Sequence, residues 1–162
     1  MEHTIMVKEY WDRIETALGT LTITVDDDGR VTGLIFGASV VDGERSPRHC
    51  RPVRDQLLEY FARTRTRFDL ALNPAGTIFQ RRVWKGLTEI SYGEVCGYGD
   101  LARRIGKTGA ARAVGQANGA NPIPIIIPCH RVISADGSIG GFSGGLALKR
   151  RLLALERIEF AA

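Results

Sequence analysis

Ile125-Ile126-Ile127-Pro128-Cys129-His130-Arg131-Val132 is the stretch from which the rest of the chain can be read. Three isoleucines in a row carry nothing polar and read as a fully buried strand, or as the last turn before one. Pro128 lacks an N–H and stops regular hydrogen bonding. Cys129 follows at once, with His130 and Arg131 beside it. A thiol attacks as thiolate, and a neighbouring cation or polarising imidazole favours that form. The sequence therefore delivers a thiol to the rim of an apolar core, next to activating groups. The plainer reading is a small core cysteine, the commoner fate of a free Cys, because adjacency in sequence is not contact in space.

Upstream of this stretch, Asn121-Pro122-Ile123-Pro124 is a rigid lead-in. Before it lie three helical segments. Thr77-x-x-Gln80 is a capping box, and Phe79, Val83, Leu87 and Ile90 share one helix face with Trp84 beside them. Tyr98 to Ile105 is a second helix, with Leu101 and Ile105 inward and Arg103 and Arg104 outward. After the turn Gly106-Lys107-Thr108 comes Gly109 to Gly119, which has alanine content suited to a helix but little bulk on any face. Helix, short turn and helix make a helix-turn-helix, whose second helix enters a DNA groove. Here that helix carries small side chains and one long cation, Arg112. Small residues permit close approach to the narrow minor groove, and one arginine can fill a gap in a base stack. The competing reading is an Ala/Gly helix packed tightly against another helix.

Downstream, Ala135-Asp136-Gly137-Ser138 is a turn, and Gly140-Gly141-Phe142-Ser143-Gly144-Gly145 is a glycine-dense loop. Such a loop leaves backbone N–H groups free and lets a ligand come near. It lacks the Gly-Lys-Ser/Thr ending of a phosphate-binding loop. Leu146 to Ile158 is a closing helix with Leu148, Leu152, Leu153 and Leu155 inward and Glu156 near its end, where a carboxylate is unfavourable beside the helix dipole.

The first half reads differently. Residues 9–37 are antiparallel strands, with Leu21, Ile23 and Val25 alternating with threonines in a half-buried pattern around the turn Asp26-Asp27-Asp28-Gly29-Arg30. A solvated hairpin loop outweighs a metal site there, because no further ligand pattern follows the glycine. Ser46-Pro47 caps a helix bearing Val53, Leu57, Leu58 and Phe61 and running to about Thr64. Phe68, Leu70 and Leu72 suggest one more strand, and Asn73-Pro74-Ala75-Gly76 is the candidate boundary. The expected fold is α/β of the α+β kind. Residues 1–76 form an N-terminal domain of antiparallel sheet plus helix. Residues 77–162 form a mainly helical domain with a helix-turn-helix and short strands.

Composition bounds the function. The 162 residues, 44% hydrophobic, suit one ordinary domain or two small ones. No apolar run is long enough to span a membrane, and Met1-Glu2-His3-Thr4 lacks a signal-peptide pattern. An odd, sparse set of cysteines (Cys50, Cys96, Cys129) is no disulfide framework, so a cytoplasmic protein is expected. Net charge is +4, but residues 1–76 hold 10 Lys+Arg against 12 Asp+Glu while residues 77–162 hold 12 against 6. An anionic partner, nucleic acid first, would be drawn to the second half.

Asn121 to Val132 resembles the active-site signature of the O6-alkylguanine-DNA alkyltransferases, the methylated-DNA–protein-cysteine methyltransferases. The similarity runs from Phe79 to Glu156 with the same order of helix-turn-helix, Pro-Cys-His-Arg and glycine loop. The N-terminal half is similar only in general terms. The resemblance implies the alkyltransferase fold and single-turnover repair of O6-alkylguanine in double-stranded DNA, with O4-alkylthymine left open. It implies Cys129 as nucleophile, His130 as base through a water, Glu156 orienting His130, and Asn121 bracing the turn. Tyr98 would donate to the leaving guanine and meet a phosphate. Arg112 would replace the extruded nucleotide, with Ala111, Ala113, Gly115, Gln116 and Arg131 as further DNA contacts. Pro124, Val132, Phe142, Ser143, Gly144 and Gly145 would wall the guanine pocket. No cofactor and no metal is implied, since the alkyl group stays on sulfur as a thioether. The protein would act as a monomer, with assembly along DNA left open. Phe142 stands where many relatives carry Tyr, which retains stacking and loses a phenol contact. Rival readings are a non-catalytic lesion-recognition or helix-turn-helix DNA-binding protein, and a cysteine hydrolase. Cys129 opposes lesion recognition without chemistry, and an Ala/Gly helix is poor at reading major-groove edges. For a hydrolase, only His3 and His49 remain as alternative bases.

Overall fold

A computed structural model describes residues 8–142 and 144–158. The chain divides after Asn73 into two compact units. In the first, β1 (Glu9–Thr16), β2 (Gly19–Asp26) and β3 (Val31–Phe36) form an antiparallel meander, and the short β4 (Glu44–Arg45) joins β1 in parallel, giving the order β3-β2-β1-β4. Helix α1 (Pro47–Phe61) lies on β1 and β2. Ser46 caps it through the His49 N–H, Pro47 opens it, and Cys50, Val53, Leu57 and Tyr60 form its buried face. The His49 ring stacks on Tyr10 at 3.7 Å and bonds the Ser46 hydroxyl at 2.6 Å, so it serves the helix start.

Two expectations for this unit are corrected. Strand β2 is not half-buried: every residue from Leu21 to Asp26 is shielded. The threonines are buried because their hydroxyls find partners, Thr22 on the Gly37 carbonyl at 2.8 Å and Thr24 on Thr32 at 2.8 Å. No strand forms over residues 68–72; Leu72 makes one isolated bridge to Val31. In the acidic turn, Asp26 receives the N–H groups of Asp28 and Arg30, the Arg30 Nε and the Asn73 amide. Its oxygens organise the turn.

In the second unit, α2 (Ile78–Thr88) begins with the reciprocal Thr77/Gln80 capping box. Then come β5 (Cys96–Gly97), α3 (Tyr98–Arg104) and α4 (Ala111–Gly119). Both α2 and α3 pack on α4. Close approach requires small residues: a Cβ on Gly86 would stand 2.7 Å from Ile105. Trp84 Nε1 donates to the Ala117 carbonyl at 2.8 Å, tying α2 to α4. A 3-10 turn (Cys129–Arg131) leads into β6 (Val132–Ile133), which pairs in parallel with β5, and α5 (Leu146–Leu155) closes the unit against that turn. Among the described residues, no helix is long and apolar enough to cross a membrane.

Candidate active site

The three isoleucines are buried as expected, but they form no strand. Pro124 bridges to Ile127, and the Ile127 N–H returns to the Ile123 carbonyl at 2.9 Å, folding the segment into a tight turn. Ile125 sits at φ 73°, a left-handed conformation that a β-branched residue adopts only when its surroundings impose it. Asn121 imposes it from both ends, its Nδ2 donating to the Ile127 carbonyl at 2.8 Å and its Oδ1 accepting from the Ile123 N–H at 2.9 Å. This turn sets Cys129 at the start of the 3-10 turn.

Cys129 is 1% exposed. Burial pushes its thiol up to about 11, against the downward pull of the Asn121 side chain, the Lys149 cation and the backbone N–H groups at Cys129 and His130. Activation therefore does not come simply from the next residues in sequence. The His130 and Arg131 side chains both turn to Glu156.

His130 Nε2 lies 2.6 Å from Glu156 Oε2, with both side chains fully buried. A carboxylate only accepts, so Nε2 carries the proton, and in the neutral ring Nδ1 bears the lone pair. Among the described residues, Nδ1 has no hydrogen-bond partner. Burial lowers the His130 pKa; Glu156 opposes this, and the Arg131 and Lys149 charges add to it. Burial alone would raise Glu156, but the bonds and charges of His130 and Arg131 outweigh it and hold the carboxyl down to about 2.

Arg131 is the clearest correction. It was expected on DNA, yet it is 6% exposed. Its Nε and Nη2 reach the two Glu156 oxygens at 2.8 and 3.2 Å, and Nη1 donates to the Ile90 carbonyl at 2.6 Å. A guanidinium spent on a buried carboxylate is not available to a phosphate.

Lys149 was missed. It is 0% exposed, and its Nζ donates to the Val132 carbonyl at 2.6 Å and the Gly141 carbonyl at 2.8 Å. Burial lowers it to about 8, while Cys129 pulls the other way. The signal was legible, since Lys149, Leu152, Leu153 and Glu156 share the i, i+3, i+4, i+7 stripe. Those four are buried, whereas Leu148 and Leu155, expected inward, are half-buried. Asn118 was also passed over; it is buried, with Nδ2 3.5 Å from the Cys129 carbonyl.

Tyr98 opens α3, where burial raises its phenol and a backbone hydrogen bond from Gly141 opposes that. Pro124 and Val132 are buried, Phe142 and Gly144 half-buried, and Gly145 exposed. Ser143 lies outside the described residues. On α4, Val114, Ala117 and Asn118 face inward, while Arg112, Ala113 and Gln116 are exposed and Ala111 and Gly115 half-buried. Packing and exposure thus belong to different faces of one helix. Among the described residues, no carboxylate pairs with Arg112.

Residues 78–158 match the family described as 6-O-methylguanine DNA methyltransferase, DNA binding domain. The chain is 45% identical over 148 residues to a methylated-DNA–protein-cysteine methyltransferase of Mycolicibacterium paratuberculosis, covering 89% of this chain and 90% of the relative. It is 58% identical over 103 residues to the protein of that name from Mycobacterium bovis, covering 64% of this chain and 62% of the relative. The crystal structure of Mycobacterium tuberculosis OGT in complex with DNA is similar at a TM-score of 0.85 and 45% identity, covering 91% and 92% of the two chains.

Proposed function

This chain belongs to the methylated-DNA–protein-cysteine methyltransferase family, and from that premise we propose how its own residues carry out the repair. The protein transfers an alkyl group from O6-alkylguanine in DNA to one of its own cysteines, once per molecule. The acceptor is Cys129. Its sulfur attacks the alkyl carbon; the carbon–oxygen bond to O6 breaks, and its electron pair stays with guanine. The thiol proton passes through a water to His130 Nδ1, the ring nitrogen left free when Nε2 is held by Glu156. Tyr98 donates a proton to the departing base. The product is a thioether, a poor leaving group, so the protein is consumed and no cofactor takes part.

With the resting thiol pushed up to about 11, forming a free thiolate at neutral pH would cost about 5 kcal/mol. A base within one water of the sulfur removes that requirement by taking the proton as the bond to carbon forms. The orphan His130 Nδ1 is the observation that carries this reading.

DNA delivers the base. A guanine inside the stack is out of reach, so the nucleotide must be flipped out, at a few kcal/mol. Arg112, with Ala111, Ala113, Gly115 and Gln116 around it on α4, fills the vacated position from the minor groove. Pro124, Val132, Phe142 and the loop through Gly144 and Gly145 receive the flipped base. Three free, buried cysteines accord with action in the cytoplasm.

The test is stoichiometry. A duplex carrying one O6-methylguanine, given in excess, should be restored to guanine in an amount equal to the protein and no more. Continuing turnover would contradict the thioether, and tight lesion binding without restoration would favour the non-catalytic recognition reading.

A further inference from the structure

Arg131 follows Cys129 and His130 in the chain, yet its guanidinium is buried. Three of its bonds are short and directed: Nε to Glu156 Oε1 at 2.8 Å, Nη2 to Oε2 at 3.2 Å, and Nη1 to the Ile90 carbonyl at 2.6 Å. The Tyr92 ring lies 5.8 Å from its carbon centre, and the Tyr92 hydroxyl donates to the Leu155 carbonyl at 3.2 Å. The guanidinium is thus fixed by the end of α2, by the end of α5 and by an aromatic ring between them.

The charges around His130 can be counted. Glu156 Oε2 bonds it, Arg131 shares that carboxylate, and the buried Lys149 cation on α5, bonded to the Val132 carbonyl, acts on it through its charge. Cys129 is the remaining titratable group on its own turn. With a neutral thiol and a neutral imidazole, the described residues of this buried group include two cations, Arg131 and Lys149, and one anion, Glu156. Were Glu156 alone beside His130, proton uptake by the ring would complete a buried ion pair, and the base would be spent. Arg131 already supplies that pair. Protonating His130 would then place a third cation against one carboxylate in a medium that penalises unpaired charge.

We propose that Arg131 is a positioning residue for alkyl transfer: by holding both Glu156 oxygens it keeps His130 neutral, with its proton on Nε2 and its lone pair on Nδ1. The inference rests on the alkyl-transfer reading for its purpose, but its claim about His130 rests on the bonds of Arg131 and Glu156 and does not need that reading. The guanidinium also fixes the carboxylate plane, and so the direction in which Nδ1 points. Lysine in its place would keep the charge but lose the two-pronged grip.

The test reads His130 directly. In the whole protein labelled with nitrogen-15 at histidine, the ring nitrogens of His130 are followed with pH, before any DNA is added. In the unmutated protein they should remain those of a neutral ring protonated at Nε2 between about pH 5 and 8. In Arg131→Gln, His130 should take up a proton within that window. The acid limb of the rate of methyl transfer from duplex DNA should move to higher pH by at least about one unit. Arg131→Lys, which keeps the charge, should restore the neutral ring in large part but the transfer rate only partly, because the two-pronged grip on the carboxylate is lost. A purely structural arginine would lower the melting temperature and leave the ring nitrogens and the pH profile where they were, and that result would overturn the proposal. So would an imidazolium at pH 7 in the unmutated protein, a measurement that needs no variant to fold. Absence of transfer in the unmutated protein would instead strike the alkyl-transfer reading, which the nitrogen spectra do not depend on.

Discussion

Cys50 and Cys129 are equally hidden from solvent, at 0% and 1% exposure, but their company differs. Burial pushes Cys50 up to about 12, and the negative Asp12 adds to the push. Burial pushes Cys129 up to about 11, and here Asn121, Lys149 and two backbone N–H groups all pull it back. A buried acid in each unit repeats the contrast. Asp26 is held down, against burial, by Arg30, Asn73 and the Asp28 N–H, none of which exchanges a proton at neutral pH. Glu156 is held down by His130 and Arg131, and His130 keeps a ring nitrogen that can take a proton during the reaction. Burial alone therefore does not mark the chemistry. The mark is a buried group whose partners can stabilise or accept the proton that it must move.

The contrast is broken most severely by removing the thiol. Cys129→Ser should abolish methyl uptake from alkylated duplex DNA, by at least about 10³-fold. Cys50→Ser should leave uptake at one group per protein and cost only stability. If Cys50→Ser removed uptake, the two cysteines would not differ as described.

Next in size is the carboxylate. Glu156→Gln keeps the shape but offers His130 an amide in place of an anion, so the Nε2–H tautomer is no longer enforced. Single-turnover transfer should fall about 10²-fold or more, as for loss of an oriented base. Removing the partner of buried Arg131 should also lower stability by about 3 kcal/mol. Asp26→Asn in the first unit should lower stability and leave the transfer rate alone. Rapid-quench kinetics and chemical denaturation separate these effects.

Arg112→Ala should weaken transfer from duplex DNA by about 1–3 kcal/mol in effective binding. Transfer from a free O6-alkylguanine base, which needs no stack to be filled, should be unchanged. An equal loss on both substrates would place Arg112 in the fold rather than on DNA.

The smallest expected effect concerns Lys149, and its sign is specific. Its folded pKa is about 8 against an ordinary 10.5. Between those values the unfolded chain binds more protons, so the stability of the protein relative to Lys149→Met should rise with pH across that window, by up to about 3 kcal/mol. Below pH 8 the difference should be flat, with the methionine variant the more stable, because no charge is buried. The same variant should transfer more slowly at neutral pH, having lost the cation that favours the thiolate. Denaturation across the pH series, with transfer rates alongside, checks both halves.

Much of this site was legible before any coordinates. The Pro-Cys-His-Arg run and the ill-placed Glu156 pointed where the geometry converges, because each breaks a local rule, whereas the bracing role of Asn121 came only from the family resemblance. A thiol lies at an apolar rim, and a carboxylate at a helix C-terminus. Arg131 was misplaced because a basic side chain beside a nucleophile in a DNA-directed protein suggests phosphate, and sequence adjacency does not reveal a partner 25 residues away. Lys149 escapes a reading that takes the helix's leucines as its buried face, although its spacing from Leu152, Leu153 and Glu156 puts it on the buried stripe. The isoleucine run is compatible with a buried strand or with the last turn before one, because composition reports burial and not backbone sign; Ile125 at φ 73° shows that it is the turn. In the first unit the strands were evident from alternation, but the shielding of Thr22 and Thr24 depends on hydroxyl partners that the pattern does not carry.

The central claim is that Cys129 is the alkyl acceptor. The most direct test is peptide mapping by mass spectrometry after the protein meets a duplex holding one O6-methylguanine. The account predicts the added mass of one methylene group on the peptide containing Cys129, at one per protein, with Cys50 and Cys96 unmodified. Methyl addition at either of those cysteines, or restored guanine with Cys129 unmodified, would contradict it.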